Sequence, residues 1–194
     1  MAVTINRVKH RKKEDEAGSK TQLEDKALAD FEGVFSENWE RLCSILSNLL
    51  NDPSEAEDIA LEAFWRLYHQ PPNHAHNLRG WLYRVATNLG LNALRSRKRR
   101  QRYEEEAYHQ SGEYLSHNSP SQESERLEDK VRVRQVLSRM NRRSAQILIL
   151  RYSGWSYSEI AASLGVSPAS IGTLLSRAEQ EFEKRYRQLE GRDV

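Results

Sequence analysis

The stretch RYSGWSYSEIAASLGVSPASIGTLLSRAEQEFEKRY, residues 151–186, decides the fold of the C-terminal part of the chain. Ser156 and Glu159 form a capping-box pattern, which predicts the start of a short helix. Gly165 predicts the left-handed end of that helix, and Ser167-Pro168 predicts the N-cap and first turn of a second one. Two helices joined by so short a turn are typical of a helix-turn-helix.

A helix-turn-helix places the N-terminus of its second helix in the major groove of DNA. Small and polar side chains there allow close approach to base edges and thymine methyl groups, and in this chain they are Ala169, Ser170 and Thr173. Free backbone N–H groups at the same end can bind a phosphate. The segment therefore favours DNA binding, and its alternative interpretation is a helical hairpin packed in a core.

Apolar residues recur at helical spacing in earlier segments as well. They predict helices over about 31–50, 53–70 and 78–102, and further helices from about residue 127 onward. In the second helix we expect these residues inside: Ala56, Ile59, Ala60, Ala63, Phe64, Leu67 and Tyr68. In the third we expect Trp81, Leu82, Val85, Ala86, Leu89 and Ala93. No segment alternates as a strand would, so the predicted fold is all-α.

Composition shifts along the 194 residues predict two small helical domains joined by a flexible linker, the C-terminal domain being the helix-turn-helix. We expect a disordered tail of mixed charge over 1–25, a first domain over 26–102, a linker over 103–125 and a second domain over 126–190. Thirty basic and twenty-eight acidic residues give a net charge of only +2. Nucleic-acid binding must therefore be argued from where the charges lie.

The third predicted helix ends in the basic run RSRKRRQR, residues 95–102. Helical spacing places one set of residues on a mostly positive face suited to phosphates: Arg84, Asn88, Leu91, Arg95, Lys98 and Arg102. Trp81 and Tyr83, near the start of this helix, can stack on unpaired bases. On the helix before it, Glu55, Asp58 and Glu62 share one acidic face, and Glu62 can pair with Arg66. That face is either a docking surface for another protein or a group of charged side chains that are simply solvated.

Several classes of function are disfavoured. Cys43 is the only cysteine, so an internal disulfide is excluded, and its place on an apolar stripe predicts buried packing. His69, His74 and His76 crowd one Pro-Pro loop without further ligands, so we expect no metal site. No catalytic constellation or cofactor motif is recognisable, and we predict no enzyme activity and no cofactor. No apolar run approaches a membrane span, so we expect a cytoplasmic protein without membrane contact of its own.

Together, three segments resemble the bacterial sigma factors of the extracytoplasmic-function (ECF) group: residues 54–68, 78–100 and 151–186. The resemblance implies a sigma region 2-like first domain and a region 4-like second domain, which bind the clamp and flap regions of core RNA polymerase. It assigns polymerase binding to Glu55, Asp58, Glu62 and Arg66. It also implies promoter DNA and an inhibitory anti-sigma protein as partners.

The resemblance also assigns DNA contacts. It implies that the promoter's minus-ten element is opened by these residues: Asn73, His74, Asn77, Arg79, Trp81, Arg84, Asn88, Arg95, Lys98 and Arg99. It implies that the minus-thirty-five element is recognised by Ser167, Pro168, Ala169, Ser170, Thr173 and Arg177. Many family members carry Lys and Arg in the middle of the recognition helix, where this chain has Gly172, Thr173 and Leu174.

Two other functions are compatible with the residues alone. The first is a helix-turn-helix regulator that binds an operator without being a polymerase subunit. The second is an interaction module that titrates a partner protein and no longer binds DNA.

Overall fold

The computed structural model describes residues 31–72, 77–111 and 122–191. Within those ranges the chain forms seven helices and no strand, which confirms the all-α prediction. Residues 31–50 form α1. The others are α2 (Pro53–His69), α3 (Leu78–Ser111), α4 (Gln122–Arg139), α5 (Arg142–Tyr152), α6 (Tyr157–Leu164) and α7 (Pro168–Glu190). The predicted tail over 1–25 lies outside the described residues, as do Asn73, His74 and the middle of the predicted linker.

The chain divides after Trp39 into two units. In the described part of the first unit, aromatic rings follow one another along α1. The Phe31 and Phe35 centroids lie 6.2 Å apart, and those of Phe35 and Trp39 lie 5.2 Å apart and stack. The second unit, residues 40–194, contains the rest of α1 and all the other helices.

Local sequence signals set the helix boundaries. The Asp52 carboxylate accepts a hydrogen bond from the Glu55 N–H at 3.1 Å and caps α2. Ser156 and Glu159 form the predicted capping box of α6. Gly165 ends α6 with a φ of 65°, a left-handed conformation that glycine adopts without a Cβ clash. Pro168 opens α7.

The N-terminal part of the second unit is a packed group of α1, α2 and α3. Its core holds Leu42, Leu46, Leu50, Ala56, Ala60, Phe64, Leu82 and Ala86, all at most 2% exposed. Helices α1 and α3 approach closely at Gly90, where a Cβ would come within 2.8 Å of a Leu49 methyl carbon. A larger residue at position 90 would therefore push the two helices apart.

Helices α4 to α7 form the C-terminal group, around Ile147, Leu150, Trp155, Ile160 and Ile171. Helix α3 does not end at this group's border, because it packs against α4, α5 and α6. The two predicted domains therefore lie in contact within the second unit.

The structure corrects several details of the sequence analysis. Tyr68, predicted inside, is 56% exposed, whereas Tyr83, predicted to face nucleic acid, is fully buried. Leu91, predicted on the positive face of α3, is also fully buried. Of the predicted inner residues of α3, Trp81, Val85, Leu89 and Ala93 are only half-buried. Helix α3 continues to Ser111, past the border predicted at residue 102.

The burial of Tyr83 has a visible cause in the structure. Tyr83 and Trp155 meet edge to face with ring centroids 4.7 Å apart, so the C-terminal group covers a side of α3 that would otherwise face solvent. Burial also raises the pKa of the Tyr83 hydroxyl. The apolar spacing within α3 alone could not indicate this contact, because Trp155 lies outside that helix.

Candidate nucleic-acid and partner interfaces

The first turns of α7 present an uninterrupted exposed surface. All six residues predicted to read the minus-thirty-five element are exposed: Ser167, Pro168, Ala169, Ser170, Thr173 and Arg177. The opposite side of the helix is anchored, because Ile171, Leu175 and Ala178 are buried. We call these six residues the recognition surface.

A short turn connects α6 to this surface. The Val166 N–H donates to the Ala161 carbonyl at 3.0 Å, which closes the end of α6 just before Ser167. The Ser167 side chain makes no capping hydrogen bond. The first backbone N–H groups of α7 are therefore not satisfied by that side chain, as an anion-binding helix N-terminus requires.

The residues predicted to open the minus-ten element differ in their exposure and in their hydrogen bonds. Asn77 has a structural task, because its side-chain oxygen accepts from the Gly80 N–H at 2.8 Å at the start of α3. Trp81 is half-buried, and Arg99 is exposed. The side-chain oxygen of Asn88 is buried with no hydrogen-bond donor nearby among the described residues.

Arg79 contacts the C-terminal group, and its side chain remains 40% exposed. Its guanidinium lies 3.1 Å from the Glu159 carboxylate and 4.8 Å from the centre of the Trp155 ring. The Glu159 pKa lies below its usual value, mainly because the Ser156 backbone N–H and then the Ser156 hydroxyl donate to the carboxylate, with Arg79 adding to the effect.

Arg95 makes a second contact across the same border. It donates from Nε to the Ser138 carbonyl at 3.0 Å and from a terminal nitrogen to the Met140 carbonyl at 3.1 Å. These carbonyls lie at the C-terminal end of α4, where helix geometry leaves acceptors unpaired and the helix dipole favours a cation.

A basic cleft opens beside this contact, with a volume of about 690 Å³. It is lined by Asn92, Arg95, Ser96, Lys98, Arg99, Ser138 and Arg142. Four of these side chains are cationic and none is acidic, so the cleft has the charge that a phosphate backbone requires.

The acidic face predicted on α2 is divided between two roles. Glu62 pairs with Arg66 at 2.7 Å, as expected from their spacing, and Asp58 is exposed. Glu55 is only half-exposed, because together with Asp52 it pairs with Arg97 of α3. Glu55 therefore helps to hold α2 against α3.

Sequence reasoning missed the apolar residues beside that face. Leu61, Trp65 and Tyr68 are 51%, 53% and 56% exposed and follow one another at i, i+4 and i+7 on α2. The Trp65 ring also stacks on His69 with centroids 4.3 Å apart. The spacing was visible in the sequence, but Tyr68 was assigned to the buried stripe. Exposed aromatic residues next to charges are typical of protein-binding surfaces.

A second apolar feature, also missed, lies in the C-terminal group. A groove of about 360 Å³ between α4, α5 and α7 is lined by Val133, Leu137, Leu148, Ile149, Tyr152, Glu179 and Phe182.

Cys43, predicted to be buried, is half-buried, and desolvation raises its thiol pKa, with Glu57 adding to the effect.

Within the described residues, no group of three or more His, Cys, Asp or Glu residues could hold a metal ion. None of the described helices is both long and apolar enough to cross a membrane.

Comparison with known families matches both halves of this arrangement. The family described as Sigma-70 region 2 matches residues 34–100, and the family described as Sigma-70, region 4 matches residues 130–182. The ECF RNA polymerase sigma factor SigW of Bacillus subtilis is 28% identical over 174 residues, 84% of this chain and 90% of that protein. The chain belongs to the ECF group of sigma-70 factors.

Further relatives agree with this ECF sigma factor over most of its length. The RNA polymerase sigma-H factor of Pseudomonas aeruginosa is 27% identical over 157 residues, 74% of this chain and 79% of that one. Among solved structures, the sigma factor RpoE of Bartonella quintana, in complex with the anti-sigma factor NepR, matches 81% of this chain and 97% of that chain with a TM-score of 0.46 and 22% identity. As an ECF sigma factor, the chain associates with RNA polymerase and promoter DNA and directs transcription initiation.

Proposed function

We propose a division of labour among three surfaces of this sigma factor. The exposed face of α2 docks on the clamp of core RNA polymerase, α3 and the loop before it open the minus-ten element, and the recognition surface of α7 reads the minus-thirty-five element. The observation that carries the proposal is the outward orientation of the recognition surface, whose six side chains are exposed while the helix is anchored from behind.

Docking of α2 follows from its exposed side chains. Leu61, Trp65 and Tyr68 supply apolar area, and Asp58, Glu62 and Arg66 surround it with charge. An apolar centre with a charged rim is the usual composition of a protein interface, in which one aromatic residue often contributes most of the binding free energy.

Reading of the minus-thirty-five element relies on small side chains. Ala169 and Thr173 allow the backbone of α7 to approach thymine methyl groups, and Ser170 can bond to base edges. Arg177, one turn further along, reaches a phosphate. With few cations on the helix, this contact is weak alone, and attachment to the polymerase raises its effective concentration.

Opening of the minus-ten element needs no catalytic group in this chain. The cations in the interior of α3, among them Lys98 and Arg99, attract the DNA backbone, and Trp81 offers a ring to an unpaired base. Binding an extruded base offsets part of the cost of unstacking, on the order of a few kcal/mol. Bond formation is left to the polymerase, so the chain itself is not an enzyme, and it acts in the cytoplasm where the polymerase is.

The apolar groove of the C-terminal group fits a helix from the flap region of the polymerase. Its lining is almost entirely apolar, as an amphipathic helix in a groove requires. The Bartonella quintana relative is bound to an anti-sigma factor. We assign a similar inhibitory partner to this chain, which would compete with the polymerase for one or more of these surfaces.

The test is a promoter-binding assay with the holoenzyme of core polymerase and this chain. Arg177→Ala should weaken binding to all promoters similarly and reduce the slope of log K against log salt by about 1, as loss of one phosphate contact predicts. Thr173→Ala should relax discrimination at one base pair of the minus-thirty-five element and leave the salt slope unchanged. Gln180→Ala, an exposed change on α7 outside the recognition surface, is the control. Equal behaviour of all three variants would contradict the assignment.

A further inference from the structure

The basic cleft has the size of a small-molecule site. Its volume of about 690 Å³ lies within the range of about 300–1,000 Å³ that is typical of such sites. Three helices form its walls, because the lining residues from Asn92 to Arg99 belong to α3, Ser138 to α4 and Arg142 to α5. A small ligand in the cleft is contacted from several sides, whereas a DNA duplex, whose major groove alone is about 12 Å wide, is too large to enter it.

The arginines of the cleft are not neutralised by carboxylates. Within the described residues, Arg95, Arg99 and Arg142 form no ion pair, whereas Arg97 of the same helix α3 pairs with two carboxylates near the start of α2. A cleft lined by charges of one sign concentrates ions of the opposite sign. The cleft therefore attracts anions from solution.

Arg95 is oriented before any ligand binds. Its Nε and one terminal nitrogen donate to the Ser138 and Met140 carbonyls, which fixes the plane of the guanidinium. A guanidinium has five N–H donors, so others remain for a further acceptor. Because the side chain is already held in place, little conformational entropy is lost when that acceptor arrives.

Arg142 lies where a cation is unfavourable. It is the first residue of α5, Arg143 follows it, and the first turn of this helix contains no acidic residue. The positive end of the helix dipole disfavours cations at that position. The Arg142 guanidinium donates to the Asn92 side-chain oxygen at 3.3 Å, but an uncharged amide does not neutralise it. An anion in the cleft offsets both the dipole and the charge.

Two uncharged side chains of the cleft also present donors. The Asn92 oxygen accepts from Arg142, and the Ser96 hydroxyl oxygen accepts from Arg99 at 3.2 Å. Because both oxygens are used as acceptors, the Asn92 amide N–H groups and the Ser96 O–H can donate to an anion. Charged and uncharged donors thus line the same cleft.

We propose that this cleft binds a short polyphosphate, inorganic or carried by a nucleoside, whose oxygens contact Arg95, Lys98, Arg99 and Arg142. Guanidinium groups bind phosphate oxygens in a two-pronged geometry with charge-assisted hydrogen bonds. A chain of linked phosphates places several negative charges in one small ligand. Four cations and no carboxylate suit such a chain better than they suit a single phosphate.

A bound polyphosphate competes with promoter DNA. Lys98 and Arg99 belong to the part of α3 proposed above to attract the DNA backbone, and the same cations cannot contact both anions at once. This consequence, but not the site itself, rests on the proposed function of α3. The ligand lowers promoter affinity without contacting the recognition surface of α7.

Isothermal titration calorimetry of the free full-length chain tests the site, with sodium tripolyphosphate as the probe. At about 0.1 M salt the Debye length is about 10 Å, so weak long-range attraction is screened. One tripolyphosphate should bind per chain, and orthophosphate should bind at least about tenfold more weakly because it offers fewer charge-assisted contacts. ATP without a divalent cation is the second probe. Tighter binding of ATP than of tripolyphosphate identifies a nucleoside polyphosphate as the ligand, and equal or weaker binding identifies an inorganic one.

Matched variants locate the binding. Arg142→Gln and Arg99→Gln should each weaken tripolyphosphate binding by about tenfold, since each removes one charge-assisted contact. The controls are Arg143→Gln and Arg100→Gln, which change exposed arginines at the adjacent positions that do not line the cleft. Each of the four variants loses one positive charge, so net charge does not distinguish them. Both controls should bind tripolyphosphate as the wild type does, and thermal unfolding checks that every variant folds.

Three results would overturn the proposal: no binding of tripolyphosphate, several ligands per chain, or equal weakening in the variants and their controls. The last two indicate diffuse attraction to positive charge. In the holoenzyme, tripolyphosphate should weaken promoter binding more for the wild type than for Arg142→Gln, and an equal loss in both would contradict the competition.

Failure of the site and failure of the proposed function give different results. If tripolyphosphate binds in a way that depends on Arg142 but the chain does not direct initiation by core polymerase, the proposed function fails and the site stands. If the chain directs initiation but binds no tripolyphosphate, the site fails and the proposed function stands.

Discussion

Single side chains show why exposure and sequence pattern have to be considered together. Tyr68 and Tyr83 are both on helices with an apolar stripe, yet Tyr68 is 56% exposed and Tyr83 is fully buried. Arg79 is a basic residue near the start of a helix assigned to DNA, but it lies between Trp155 and Glu159. The chemical type of a residue limits its roles, and its neighbours select one of them.

Trp65→Ala should lower the affinity for core polymerase by at least about tenfold, ~1.4 kcal/mol, because a central aromatic residue often dominates an interface. The ring is half-exposed, so its removal should change the melting temperature little. Sedimentation or fluorescence titration against core polymerase measures the affinity. Tyr157→Ala, another exposed aromatic residue, is the control. Equal affinities of the two variants would argue against α2 as the docking face.

At the scale of single elements, the helix ends follow from short sequence signals. The box formed by Ser156 and Glu159 and the left-handed Gly165 were both predicted and confirmed, and Asp52 caps α2 in the same local way. Each depends on residues within four positions of one another, so no distant contact is needed to specify it.

Gly165→Ala tests the turn that orients the recognition surface. A Cβ at a φ of 65° is strained, and we expect the free energy of unfolding to fall by about 1 kcal/mol or slightly more. Nothing lies within 4 Å of that Cβ, so conformation and not crowding would be the cause. Thermal and urea unfolding measure the change, with Gly191→Ala, whose φ is −72°, as the control. A loss no greater than that of the control would contradict this interpretation.

The capping box also predicts a pH dependence. The Glu159 pKa is lowered in the folded chain, chiefly by hydrogen bonds from Ser156, so the charged form stabilises the fold. This contribution is present above the pKa of an unfolded glutamate and is lost as pH falls through the lower, folded pKa. Glu159→Gln should therefore flatten the acid side of the stability profile. A profile identical to that of the wild type would show that the carboxylate does not contribute.

The sequence predicted the elements better than it predicted the interfaces. The helix-turn-helix and the exposed start of α7 were foreseen, because both are encoded within residues 151–186. The burial of Tyr83 was not foreseen, because it depends on a contact with Trp155, which lies far along the chain. The Leu61, Trp65 and Tyr68 face was missed because helical spacing alone did not assign Tyr68 to the outside.

At the scale of the whole molecule, four cations lie together although the net charge of the chain is only +2. Arg95, Lys98, Arg99 and Arg142 line one cleft. The position of these charges, and not their sum over the chain, therefore suits a phosphate backbone.

The account as a whole is tested most directly by run-off transcription on genomic fragments with purified bacterial core RNA polymerase. We predict transcripts that appear only when this chain is added, with start sites that share one minus-ten and one minus-thirty-five element. Trp65→Ala should reduce all of them together. If core polymerase neither binds the chain nor initiates with it, the three-surface account is wrong, and the helix-turn-helix serves an operator-binding regulator or a module that titrates a partner.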